Sequence, residues 1–206
     1  MPQHDRPQIY LSTPPEFELS SFPARLAEVL DAHEIACLRL TLATRDEDRL
    51  SRACDAVREV AHARDVAVVI ETHTALAERL GLDGVHLTDG ARSVRAARKA
   101  LGSDAIVGTL AHASRHDGMN AGEAGADYVS FGPVGASALG DGVVAEPDLF
   151  KWWSQMIEVP VVAEGQLDAA LVESLAPVTD FFGIGEEIWR DDDPAGALGR
   201  LLAPLG

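Results

Sequence analysis

The chain has 206 residues and 47% of them are hydrophobic, enough for a substantial packed core and too many for a chain whose dominant state is disorder. Seventeen Lys plus Arg against 33 Asp plus Glu leave a formal charge of -16 at pH 7, a surface that repels phosphate backbones and so excludes nucleic acid as a natural partner. Apolar stretches such as Val66 to Ile70 and Val159 to Ala163 are strand-length, far short of the roughly 18 residues that span a bilayer, so no membrane partner is expected.

In chain order, short β-branched or apolar runs alternate with amphipathic stretches. Gln8 to Ser12 precedes a helix at Phe22 to Ala32, and Cys37 to Leu42 precedes one at Asp46 to Arg64. Ala67 to Glu71 is followed by Thr74 to Leu80, Gly84 to Leu87 by Ser93 to Leu101, and Ile106 to Ala111 by Arg115 to Ala124. Tyr128 to Gly132 leads to Pro147 to Met156, Val161 to Glu164 to Leu167 to Leu175, and Phe181 to Gly185 to Pro194 to Leu202. Near-continuous apolar strands suit a parallel sheet covered on both faces. A unit of about 26 residues repeated along the chain predicts a single-domain (β/α)8 TIM barrel over residues 1–206. An open doubly wound sheet is the competing architecture, but Ser12-Thr13-Pro14-Pro15 stands where its glycine-rich phosphate loop would follow the first strand.

The N-terminal residues lack the apolar segment of a secretory signal, which makes the cytoplasm the expected address. Cys37 and Cys54 have no His or Cys at ligand spacing and are expected to be buried free thiols.

A barrel of this kind works at the C-terminal ends of its strands. That rim carries Arg39 and Thr41, then Glu71, Thr72 and His73, then Thr88 and Asp89, then His112, Ser114, Arg115 and His116. It continues through Gly132-Pro133-Val134, Glu164-Gly165-Gln166 and Gly185-Glu186-Glu187. His116 lies one helical turn beyond His112, a spacing that would allow a metal pair completed by His73 or His86. Trp152 and Trp153 are read as outer-face packing or as a contact between copies of the chain, which leaves a homo-oligomer open. The long glycine-rich connection from Gly132 to Glu146 is read as an active-site lid or a surface loop.

Leu82-Asp83-Gly84-Val85-His86-Leu87, Ile106-Val107-Gly108, His112, Ala124-Gly125-Ala126-Asp127-Tyr128-Val129 and Phe131-Gly132-Pro133-Val134 resemble, in wording and spacing, thiamine phosphate synthase and its thiazole tautomerase relative TenI. Val159-Pro160-Val161-Val162-Ala163 and Ile9-Tyr10-Leu11 extend the likeness more weakly. The resemblance implies the barrel and a role in joining or reshaping the pyrimidine and thiazole halves of thiamine. For the synthase it also implies magnesium-binding carboxylates and cations around two sets of phosphates.

Several positions depart from that pattern. Arg39-Leu40-Thr41 replaces Gln-Leu-Arg with its following lysine, Glu71-Thr72 replaces Asn-Asp, and His73 takes the place of a basic neighbour. Asp89 sits two positions upstream of the second metal aspartate, so magnesium is implied as cofactor while its usual ligands are missing. Gly165-Gln166 stands at a double glycine, Glu186 near a phosphate-site serine and Glu164 at an apolar position, placing carboxylates beside the expected anion site near Gly185. His112 matches the tautomerase's proton-moving histidine and is the catalytic candidate, against a purely structural role at the end of its strand. The substrate-binding candidates are Arg39, Glu71, His73, Asp89, Gly132, Glu164, Gly165, Gly185 and Glu186. Together these substitutions predict feeble magnesium-dependent synthesis and an acidic pocket whose carboxylates raise one another's pKa, favouring a neutral or cationic heterocycle over a pyrophosphate. A catalytically inactive binding or regulatory barrel is the alternative.

Overall fold

The computed structural model describes residues 6–44, 46–136 and 142–206. Eight parallel strands close on themselves in sequence order: β1 (Gln8–Ser12), β2 (Cys37–Leu40), β3 (Ala67–Glu71), β4 (Gly84–Leu87), β5 (Ile106–Leu110), β6 (Tyr128–Phe131), β7 (Val161–Glu164) and β8 (Phe181–Ile184). Around them run α1 (Phe22–Ala32), α2 (Glu47–His62), α3 (Thr74–Leu80), α4 (Val94–Leu101), α5 (Arg115–Glu123), α6 (Pro147–Met156) and α7 (Ala169–Leu175). A four-residue helix, α8 (Glu186–Trp189), precedes α9 (Pro194–Leu202). The (β/α)8 barrel expected from the alternation is therefore the observed fold. Sequence periodicity had no means of showing α8, because one turn has no repeat to read.

Local chemistry starts and stops these helices. Asp46 Oδ1 accepts the N–H groups of Asp48 and Arg49 to open α2, and Asp168 and Asp193 do the same for Leu171 and Gly196 at α7 and α9. Gly81, at φ +62°, ends α3 in the left-handed conformation that glycine adopts without strain.

Outward-facing strand residues, including Leu11, Leu38, Val68, Val85, Val107, Val129 and Ile184, pack against Leu26, Val57, Leu76, Leu175 and Leu198 of the helices. Trp153 belongs to this layer, edge-on to Phe131 and with its Nε1 donating to the Val159 carbonyl, while Trp152 is half-buried beneath the Arg115 guanidinium. Both cysteines are buried and free, and burial pushes the Cys37 thiol up to about 12 and the Cys54 thiol up to about 11.

At the N-terminal end of the barrel a motif recurs. Asp83, Asp127 and Asp180 directly precede β4, β6 and their last counterpart β8, and each donates its N–H back to Val68, Val107 or Val161. Each carboxylate in turn accepts the N–H of that same valine, at 2.6, 2.7 and 2.8 Å. These reciprocal clasps tie β3 to β4, β5 to β6 and β7 to β8. Ala36 holds the matching place before β2 and supplies only the backbone half, its N–H to the Ile9 carbonyl.

The barrel interior is divided by polarity. Tyr10, Cys37, Val69, Tyr128 and Val162 form an inner cluster. Tyr10 and Tyr128 share a 2.6 Å hydrogen bond, and the Tyr128 hydroxyl also meets His86 Nδ1 at 2.9 Å. Gly108 makes this possible, since a Cβ there would lie 1.9 Å from the Tyr128 ring.

Candidate active site

Above that cluster, the strand register brings Ser12 of β1 beside Arg39 of β2, and Glu164 of β7 beside Gly183 of β8. Arg39 and Glu164 reach across the barrel mouth to form a buried fork: Nη2 to Oε2 at 2.5 Å and Nη1 to Oε1 at 3.4 Å. Arg39 Nε donates to Ser12 Oγ at 3.1 Å, and its guanidinium lies 5.5 Å from the centre of the Tyr10 ring. Burial alone would push Glu164 up, but the adjoining Arg39 charge, with His86 and Ser130, outweighs it and holds the carboxyl down at about 2. The sequence-based expectation that packed acids raise one another's pKa thus fails at Glu164, because a buried guanidinium faces it. It holds in direction at Glu71, where burial is the main cause and Arg39 opposes it. Burial together with the Arg39 charge lowers His86 to about 3, so this histidine stays neutral inside the barrel.

Over the fork opens a cavity of about 610 Å³, lined by the ends of β1, β2, β7 and β8. Arg39, Glu164, Gly165, Gly185 and Glu186 line it, together with Ser12, Thr41, Gln166, Glu187 and Arg190. Thr41 N–H donates to Thr13 Oγ1, and that hydroxyl donates to the Thr41 carbonyl, which pins the ends of β1 and β2 together. The Trp189 indole donates to the Ser12 carbonyl at 2.6 Å and anchors α8 beneath the rim.

Other candidates lie elsewhere. Asp89 is exposed and accepts a 2.6 Å bond from Ser93. His73 stands at the start of α3, Glu71 is half-buried within range of the Arg39 charge, and Gly132 is buried with its N–H on the His112 carbonyl. His112 lies two residues beyond β5, on the far side of the mouth from β1, at φ +53°, half-buried, with Nδ1 free of hydrogen bonds among the described residues. A non-glycine residue held there stores backbone strain, and Thr72 at φ +62° and Gln166 at φ +59° do so at the same rim. The imagined histidine pair does not form: His116 contacts Asn120 on exposed α5, and His86 is committed inside the barrel. Part of the Gly132 to Glu146 connection, 137–141, lies outside the described residues, and so does any lid reading that depends on it.

The acids at the rim are also less isolated than their sequence suggests. Glu164 is neutralised by Arg39, and Glu186 pairs with Arg190 one helical turn on. Among the described residues no group of three or more His, Cys, Asp or Glu is arranged to hold a metal ion. With Asp89 bonded to Ser93 and Glu71 within range of the Arg39 charge, the described donor set does not fit a preassembled magnesium site. Residues missed by sequence reasoning are Ser12 and Arg190, and the hydrogen bonds that join Tyr10, Tyr128 and His86 were missed as well: the bonds of Ser12 and of this trio run between strands, and Arg190 pairs with Glu186 at the end of the one-turn α8.

Comparison with known proteins places this site in context. A family model described as thiamine monophosphate synthase matches residues 9–179. A thiamine-phosphate synthase of Rhodospirillum centenum is 39% identical over 193 residues, covering 92% of this chain and 91% of the relative. One from Erythrobacter litoralis is 37% identical over 194 residues, covering 91% of each. Among solved structures, thiamine phosphate pyrophosphorylase from Pyrococcus furiosus superposes with a TM-score of 0.81 at 17% identity, covering 96% of this chain and 95% of that one, a likeness of fold.

Proposed function

The chain belongs to the thiamine monophosphate synthase family, and from that membership we propose that it takes a small thiamine-related heterocycle, a thiazole or a pyrimidine, into the cavity at the C-terminal mouth of its barrel. The observation that carries the reading is the Arg39–Glu164 fork on the cavity floor. A buried guanidinium beside a buried carboxylate offers donors and acceptors at fixed positions, the complement of a ring with an exocyclic amine and a ring nitrogen. Their charges balance, so the pair recognises polarity without demanding a charged ligand.

His112, across the mouth, is the group we assign to proton transfer. Its buried Nδ1, without a hydrogen bond among the described residues, and its strained backbone support that role. A ligand seated over the fork would have to extend toward β5 to meet it. Among the described residues no carboxylate site for magnesium is assembled, and we accordingly expect magnesium-dependent coupling of a pyrimidine pyrophosphate to a thiazole phosphate to be feeble.

Thermal-shift and calorimetric titration with thiamine-related pyrimidines and thiazoles, with and without phosphate and magnesium, tests the assignment. Saturable binding of a heterocycle that disappears in Arg39→Met supports it. Unchanged binding in that variant, or binding of no such ring by the wild type, overturns it.

A further inference from the structure

The loops after β7 and β8 meet at one side chain. Gly165 at φ +92° and Gln166 at φ +59° lead the chain into Leu167, whose N–H donates to Glu187 Oε1 at 3.1 Å. From the neighbouring loop, Gly185 N–H donates to the other oxygen, Oε2, at 2.8 Å. One half-buried carboxylate therefore bridges backbone donors from two different loops, on the wall of the cavity. In barrels of this architecture, the loops after strands seven and eight are a frequent place for a phosphate group.

The remaining cations of the cavity wall are committed in the same way. Arg39 is held by Glu164 and Arg190 by Glu186, so among the described lining residues each cationic side chain already faces a carboxylate of the chain. Three glutamates against two arginines leave this wall with one excess negative charge, and Glu187 is the glutamate without a cation partner in these pairs.

We propose that Glu187 is the chain's own anion in this two-loop cradle, a specificity-determining residue that bars a phosphate from the ends of β7 and β8 and leaves the cavity to the unphosphorylated part of a ligand. The proposal rests on the cavity being the ligand site. Its physical basis is competition. Each carboxylate oxygen takes one N–H, and a second anion brought to about 4 Å without a countercharge would lose on the order of a thousandfold in affinity. Removing the carboxylate returns both donors to solvent and makes the wall's charges balance.

Inorganic phosphate is the probe, titrated by calorimetry and by phosphorus NMR into the wild type, Glu187→Ala and Glu187→Gln. The expected result is weak or undetectable binding by the wild type and binding at least about a hundredfold tighter in Glu187→Ala. Glu187→Gln keeps the size of the side chain but presents an amide to one of the two donors, so it should gain in the same direction and by less. It also serves as the readout if the alanine variant fails to fold. Micromolar phosphate binding by the wild type overturns the proposal, and so does the absence of any gain in a folded variant. Titrating an unphosphorylated thiazole alcohol in parallel separates the two readings: failure of the ring to bind strikes the cavity assignment, whereas failure of phosphate to gain strikes Glu187.

Discussion

A Cβ placed on Gly183 would stand 2.7 Å from Cβ of Glu164 and 3.0 Å from Cγ1 of Val162. The carboxylate that meets Arg39 is accommodated at the end of β7 because β8 presents no side chain opposite it. Gly183→Ala should therefore push Glu164 off its partner. A loss of about 1–3 kcal/mol in chemical denaturation is expected from the crowding, with weakened ligand binding at the same time. A stable variant with unaltered binding would show that the fork tolerates displacement.

Arg39→Met, which strands a buried carboxylate, should cost about 3–5 kcal/mol. Replacing both partners, as Arg39→Met with Glu164→Leu, should recover much of that loss because it removes the stranded charge. Equilibrium urea unfolding of both singles and the double variant checks this. Additive losses in the double variant would contradict a coupled pair.

Acid sensitivity follows from two groups whose pKa values fall on folding. Glu164 drops from an ordinary 4.5 to about 2, so its contribution to stability is complete above its unfolded pKa and is lost as pH falls toward 2. His86 drops from 6.5 to about 3, so the unfolded chain takes up its proton first and stability declines as pH falls from about 6.5 toward 3. His86→Phe should flatten that upper part of the acid limb. Proton NMR of the His86 ring should show no titration above pH 4, and a midpoint near 6 would refute its burial as a neutral group.

His112→Asn retains a side chain that tolerates left-handed backbone and removes the imidazole. For a proton-transfer role, turnover should fall by about 10²–10⁴-fold, with ligand affinity and melting temperature little changed. A fall in melting temperature with intact turnover would instead assign His112 to structure.

Much of the architecture was readable because it repeats. Strand and helix periods alternate along the chain, and the ends of Phe22–Ala32, Thr74–Leu80, Pro147–Met156 and Pro194–Leu202 coincide with proline or glycine signals or with changes of period. The rim, too, could be read, since a parallel barrel puts every strand's end on one face. Pairing across the barrel could not. Arg39 and Glu164 are 125 positions apart, and nothing local to Glu164 announces a guanidinium opposite it. Glu187 was counted only as another rim charge, because its turn back onto Gly185 and Leu167 depends on two loops being neighbours. His112 was identified by its resemblance and not by its surroundings, and the structure sets it across the mouth from the cavity.

The aspartate clasps latch three strand pairs at the base of the barrel, whereas β1 with β2 has there only the backbone half of the clasp, at Ala36. That unlatched pair also borders a basal opening of about 430 Å³ between Gln8, Ile9, His33 and Leu202. Of the four pairs that match at the base, β1 with β2 alone lacks the aspartate latch among the described residues, so fraying of the base is expected to start in this pair. Amide exchange at Ile9 and Ala36 should accordingly outpace that at Val68, Val107 and Val161, and an Ala36→Asp replacement, which supplies the missing latch, should slow it.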